Sequence, residues 1–214
     1  MYPSYARSER IADGTMHALG VLFAVSGAVL LIVMASGQAS AGMIAGVAVY
    51  GATLIATFAA SAFYHFTPIE GWRPMLRRFD HAAIYLKIAG TYTPLVVMIG
   101  SGFAYVILAI VWALAAVGVT LKLFFWQKPG RFGPALYLIM GWLAVALIWS
   151  LWPIVSPATM TLIAIGGLLY TSGVFFYVAK KMKFNVAIWH GFVLAASACF
   201  FAAIAMITLG GAAA

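Results

Sequence analysis

Long uninterrupted apolar runs dominate the chain. From the N-terminus they cover residues 17–35, 43–65, 80–100, 103–123, 134–151, 159–179 and 186–209. Each is close to the roughly 20 residues that an α-helix needs to cross the hydrocarbon core of a bilayer. Glycines and prolines such as Gly37, Pro68, Gly71, Gly130 and Pro153 punctuate the gaps. The runs lack the ten-residue alternation of outer-membrane barrel strands. The pattern predicts an all-α integral membrane protein, a seven-transmembrane helix bundle. Residues 1–16 read as an N-terminal segment, 17–209 as the bundle and 210–214 as a short tail.

Composition narrows the class. Only 7% of residues are charged and 65% are hydrophobic, against about 25% charged in soluble domains. So little charge cannot cover a water-facing surface, and so much aliphatic and aromatic content excludes disorder. The lone cysteine, Cys199, cannot form an internal disulfide. Ala39-Ser40-Ala41 resembles a signal-peptidase site, but the run before it is near full spanning length, so we read a span rather than a cleaved signal.

The net charge of +8 would suggest nucleic acid in a soluble protein. Here it sets membrane orientation instead, and no nucleic-acid partner is expected. Eleven of the twelve basic residues lie before the first run or in alternate loops: Arg7 and Arg10; Arg73, Arg77 and Arg78; Lys122, Lys128 and Arg131; Lys180, Lys181 and Lys183. The positive-inside rule then places the N-terminus in the cytoplasm and the C-terminus outside. That fits an odd span count, with membrane lipids as the surrounding partners. The exception, Lys87, falls inside the third run.

Polar residues within spans are costly, so they are the first candidates for function. The topology puts His17, His65, His81 and His190, all the histidines of the chain, in one layer at the cytoplasmic ends, together with Ser61 and Asp80. Ser61 and His65 are four apart and share a helix face. Asp80 and His81 are adjacent and point about 100° apart. Lys87 nearly shares a face with Asp80, about 10 Å deeper, which makes Asp80 its nearest partner in sequence. Imidazoles in this number suit zinc, with Asp80 as a base or ligand and Ser61 stabilising an oxyanion. Asp13, four residues before His17, is expected to satisfy that histidine. Ala52, Ala56 and Ala60, like Ala195, Cys199 and Ala203, form small-residue stripes. Direct packing of these two helices would bring His65 and His190 together. Pro94 is expected to kink the third span. Trp126, Trp142, Trp152 and Trp189 read as interface or packing aromatics.

Several segments resemble one family. They are Ser61-Ala62-Phe63-Tyr64-His65, Phe79-Asp80-His81-Ala82-Ala83-Ile84-Tyr85 continuing to Ile88-Ala89-Gly90-Thr91-Tyr92-Thr93-Pro94, and Ala187-Ile188-Trp189-His190. The stretch from Glu9 through Asp13 to His17-Ala18-Leu19-Gly20 adds to them. Together they resemble the bacterial hemolysin III proteins, a branch of the progestin and adipoQ receptor (PAQR) family, over nearly the whole chain. The resemblance implies a seven-helix bundle with a zinc ion held by three histidines near the cytoplasmic face. By motif match Ser61, His65, Asp80 and His190 are site residues. Its eukaryotic relatives imply hydrolysis of lipid amides. One departure bears on the zinc. The family has a second histidine four residues before the one matching His190, where this chain has Val186. Valine cannot ligate a metal, so His17, His81 or Asp80 must complete the set, or the scaffold persists without zinc. Phe200 likewise stands where bacterial relatives often carry histidine, and Lys87 where they carry an apolar residue.

Three functions follow as expectations. The first is a metal-dependent hydrolase of lipid or amphiphile amides, with Ser61 and Asp80 catalytic and His65 and His190 ligating. The second is a channel-forming or cytolytic membrane protein. The third is a non-catalytic regulator of membrane homeostasis.

Overall fold

The computed structural model describes residues 6–125 and 132–210. Trp126, Lys128, Gly130, Arg131 and residues 211–214 lie outside the described residues. The elements are α1 (Arg7–Ser36), α2 (Ala41–Phe66), α3 (Arg73–Ile99), α4 (Gly102–Phe124), α5 (Phe132–Trp142), α6 (Ile148–Leu151), α7 (Pro157–Val178) and α8 (Asn185–Gly210). Among the described residues, seven stretches are long and apolar enough to cross a membrane, the fifth being Gly133–Leu151. The sequence-predicted spans and these stretches coincide, with the first and third beginning earlier than expected, the third helix at Arg73 rather than Asp80. α1 begins ten residues before the expected start of the first run, so the polar residues Glu9 and Asp13 lie on the helix.

Local chemistry sets the boundaries. Ser40, Ser101 and Ser156 each accept a hydrogen bond from the backbone three residues on, capping α2, α4 and α7. Ser40, in the peptidase-like tripeptide, is therefore a helix cap. Gly100 ends α3 in the left-handed conformation, at φ 67°, which glycine adopts without a Cβ clash. Pro94 sits within α3, yet the helix continues through it to Ile99.

The fifth span is not one continuous α-helix. Leu143–Leu147 tightens into a 3₁₀ turn between α5 and α6. Such a change of pitch leaves carbonyls without regular partners, which is costly in hydrocarbon. Tyr92 of α3 compensates: its hydroxyl donates to the carbonyls of Met140, at 2.7 Å, and Gly141, at 3.0 Å.

α3 occupies the centre and is the most buried span. On one side it joins α4, α5 and α6 in a core built on Tyr85, Val96, Val111 and Met140. On the other, α1, α2 and α8 form a second core around Leu31, Val47, Tyr50, Leu54 and Ile204. α2 meets α3 very closely at Gly90, where a Cβ would lie 2.0 Å from Thr53 Oγ1. α1 packs against both α2 and α8, and this corrects the expected arrangement. His65 and His190 are not joined by direct packing of the two small-residue stripes. Ala52 and Ala56 are exposed, as is Ala195, and α1 bridges the two helices instead. Trp142 and Trp152 are exposed, while Trp189 packs on Tyr177 with ring centroids 5.3 Å apart.

Candidate metal centre

The N-terminus of α1 is tied down by one carboxylate. Glu9 accepts from the backbone N–H of Ala6 at 3.0 Å and from that of Phe184 at 2.8 Å. Phe184 immediately precedes α8 and holds φ at 59°, an uncommon conformation for a bulky residue. The contact sets the register of α1 against α8. Glu9, Asp13 and His17 recur every four residues, so they lie along one helix face. One turn above Glu9, Asp13 therefore meets the first turns of α8, and His17 follows one turn deeper.

The result is a cluster of four side chains from three helices. Asp13 Oδ1 lies 2.6 Å from His190 Nδ1, and Asp13 Oδ2 lies 2.8 Å from His65 Nδ1. His17 Nε2 is 3.5 Å from Asp13 Oδ1. An ionised carboxylate only accepts, so the ring nitrogens of His190 and His65 donate. The three imidazole rings pack against one another in tilted and edge-on contacts. The His17 ring centroid is 4.6 Å from that of His65 and 4.3 Å from that of His190. One ligand atom from each of Asp13, His17, His65 and His190 falls within 4.8 Å of the other three.

The cluster suits a divalent metal ion. His17 is 2% exposed, and its Nε2 atom is buried with no hydrogen-bond partner. A buried nitrogen left unsatisfied costs about 1–3 kcal/mol, and a metal ion would remove that cost. Three imidazoles and a carboxylate are borderline donors that fit zinc. Tetrahedral zinc separates its ligand atoms by about 3.3 Å, so side-chain movements of about 1 Å would close these groups on an ion.

The other expected residues lie beside the cluster. Ser61 and Asp80 are both buried beside the cluster and line the same cavity. Asp80 Oδ2 is 3.9 Å from His81 Nε2. Among the described residues, the group that could hold a metal ion contains neither Asp80 nor His81. His81 turns toward Tyr177, with ring centroids 6.4 Å apart. Of the three candidates to complete the histidine set, the structure brings His17 to the centre. Asp13, read from sequence as a partner of His17 alone, in fact touches all three histidines. The four-residue spacing of Glu9, Asp13 and His17 was the available signal.

Lys87 departs furthest from expectation. No ion pair joins it to Asp80 among the described residues. Its Nζ instead donates to Ser197 Oγ of α8 at 2.6 Å. The rise of about 10 Å over seven residues is more than an ion pair spans. Of the arginines, Arg78 donates to the carbonyl of Leu123 at 3.0 Å, closing the end of α4, and Arg73 stacks 5.5 Å over the ring of Tyr64.

The cluster opens onto a cavity of about 1300 Å³ between the two cores. Ser61, Asp80, His65 and His190 line its near end, and Tyr92, Leu95, Leu151 and Met160 its deep end. This exceeds the roughly 300–1,000 Å³ typical of small-molecule pockets, and its walls are mainly apolar.

Comparison with known proteins matches residues 6–201 to the family described as haemolysin-III related. The hemolysin-3 homolog of Bacillus subtilis (strain 168) is 37% identical over 194 residues, covering 90% of this chain and 91% of that protein. The hemolysin-3 of Bacillus cereus is 34% identical over 194 residues, covering 90% and 89%. The human monocyte to macrophage differentiation factor is 30% identical over 166 residues, 73% of this chain and 67% of its own length. With these relatives, its seven apolar helices and its matching motifs, the chain is a multi-pass membrane protein that belongs to the haemolysin-III-related branch of the PAQR family.

Proposed function

We propose that this protein is a metal-dependent hydrolase of lipid or amphiphile amides. One observation carries the reading: a cluster of three histidines and Asp13 stands at the mouth of a large apolar cavity. His17, His65 and His190 would hold zinc. Bound there, the ion supplies Lewis-acid activation of water at neutral pH.

The chain's own residues do the rest. Asp13 fixes the Nδ1 atoms of His65 and His190, which orients both rings. Asp80 is the carboxylate that takes a proton from the attacking water and returns it to the leaving amine. Ser61 lines the same cavity as Asp80, where its hydroxyl would donate to the carbonyl oxygen of the amide. The apolar walls take up the chain of an amphiphile and exclude bulk water. Positive-inside orientation puts this end of the bundle at the cytoplasmic leaflet of a bacterial inner membrane.

Asp13 also favours a second reading. As a direct ligand it would complete four protein donors, and closed four-ligand sites are structural rather than catalytic. The protein would then be a metal-stabilised regulator without hydrolytic turnover. Incubation of the zinc-loaded protein with a fluorescent long-chain N-acyl amide separates the two. Release of the free acid, lost in Asp80→Asn and His65→Ala, supports the hydrolase. Stoichiometric zinc without release supports the regulator.

A further inference from the structure

Deep in the same cavity lies a group that the metal centre does not use. Lys87 of α3 is 5% exposed and lines the cavity. Its ammonium carries three donors, of which the structure spends one, on Ser197 Oγ. Ser197 passes its own proton to the carbonyl of Val193 at 2.6 Å. Its oxygen therefore accepts from both Lys87 and the Tyr170 hydroxyl, the latter at 2.9 Å. The Lys87 Nζ also lies 5.0 Å from the ring of Phe58 and 4.9 Å from that of Tyr170. These contacts hold the cation in place and leave two of its N–H groups uncommitted. Among the described residues no carboxylate pairs with it.

A buried cation without a counter-ion is costly inside a membrane. A carboxylate that reaches it supplies the missing counter-charge and gains a charge-assisted hydrogen bond in a low-dielectric site. The space in front of Lys87 is apolar, which selects a long hydrocarbon chain. One positive charge matches one negative charge, which favours a carboxylate over a phosphate dianion. We infer that the deep end of the cavity is a binding site for a long-chain monocarboxylate, with the carboxylate on Lys87 and the chain along the apolar walls. The site stands about 10 Å further along α3 than Asp80 and does not depend on the metal or on hydrolysis.

The test uses the full chain in phosphatidylcholine nanodiscs at pH 7. Trp142 and Trp189 line the cavity, so dibromostearic acid and dibromostearyl alcohol report their binding by quenching tryptophan fluorescence. The unmodified protein should bind the acid about tenfold or more tightly than the alcohol, the scale of one charge-assisted bond. Lys87→Met should abolish that preference while still binding the alcohol, which shows the cavity intact. His65→Ala should keep the preference, because the anion does not sit at the histidines. Equal affinity of the unmodified protein for acid and alcohol overturns the inference without recourse to any variant. A preference that survives Lys87→Met, or that disappears in His65→Ala, overturns it too.

Discussion

Replacing Asp13 by asparagine probes the centre most selectively. The substitution keeps side-chain size and removes the charge. In the structure Asp13 accepts from His190 at 2.6 Å and from His65 at 2.8 Å, and lies 3.5 Å from His17. Asparagine has one carbonyl oxygen, so it can serve one ring and must present its amide hydrogens to the other. Loss of one group that orients a ligating histidine costs about 10–100-fold in metal affinity, or about 1.4–2.8 kcal/mol. Because this carboxylate orients two rings, we expect a loss of about 100-fold in Asp13→Asn. A larger loss would mark Asp13 as a ligand itself. The assay is competition for zinc between the detergent-purified protein and a fluorescent chelator, with a thermal melt to confirm folding. His81→Ala and Asp80→Asn should retain near-normal affinity, since neither belongs to the cluster. Unchanged affinity in Asp13→Asn would refute the reasoning.

Other expectations follow from the same geometry. Tyr92→Phe leaves the carbonyls of Met140 and Gly141 without their donor and should lower stability by about 1–3 kcal/mol, read as a shift in denaturation midpoint. Gly90→Ala puts a methyl group into Thr53 and should destabilise by about 1–3 kcal/mol; Gly90→Ala combined with Thr53→Ala should recover most of the loss. If Asp80 is the general base, Asp80→Asn should lower amide turnover by about 10²–10⁴-fold with zinc content preserved; parallel loss of both would reassign Asp80 to the metal. Single cysteines in the loop before α8 should react with impermeant reagents only in inverted vesicles, and labelling in intact cells would reverse the orientation.

The spans were legible because seven apolar runs of spanning length leave few alternatives, and the shared layer of the histidines followed from the alternation of those runs. What stayed hidden depends on rotation and register between helices. Asp13 reads as a local partner of His17 until the Glu9 contact to Phe184 fixes α1 against α8 and turns the acid toward His65 and His190 as well. Small residues at every fourth position signalled close packing, yet Ala52 and Ala56 face outward, where hydrocarbon accepts alanine as readily as a helix interface does. Lys87 shares a face with Asp80, but its length and depth carry it to Ser197. Val186 put the histidine set in question, because the resemblance draws two of the three histidines from α8. The third imidazole comes from α1, whose distance in sequence conceals its nearness in space.

We propose that His17, His65, His190 and Asp13 form a zinc centre. Elemental analysis of protein purified without chelators tests it most directly. Such a centre holds about one zinc ion per chain, lost in His65→Ala and removed from the unmodified protein by prolonged chelation. A properly folded, unmodified protein that neither retains nor takes up stoichiometric zinc would contradict it.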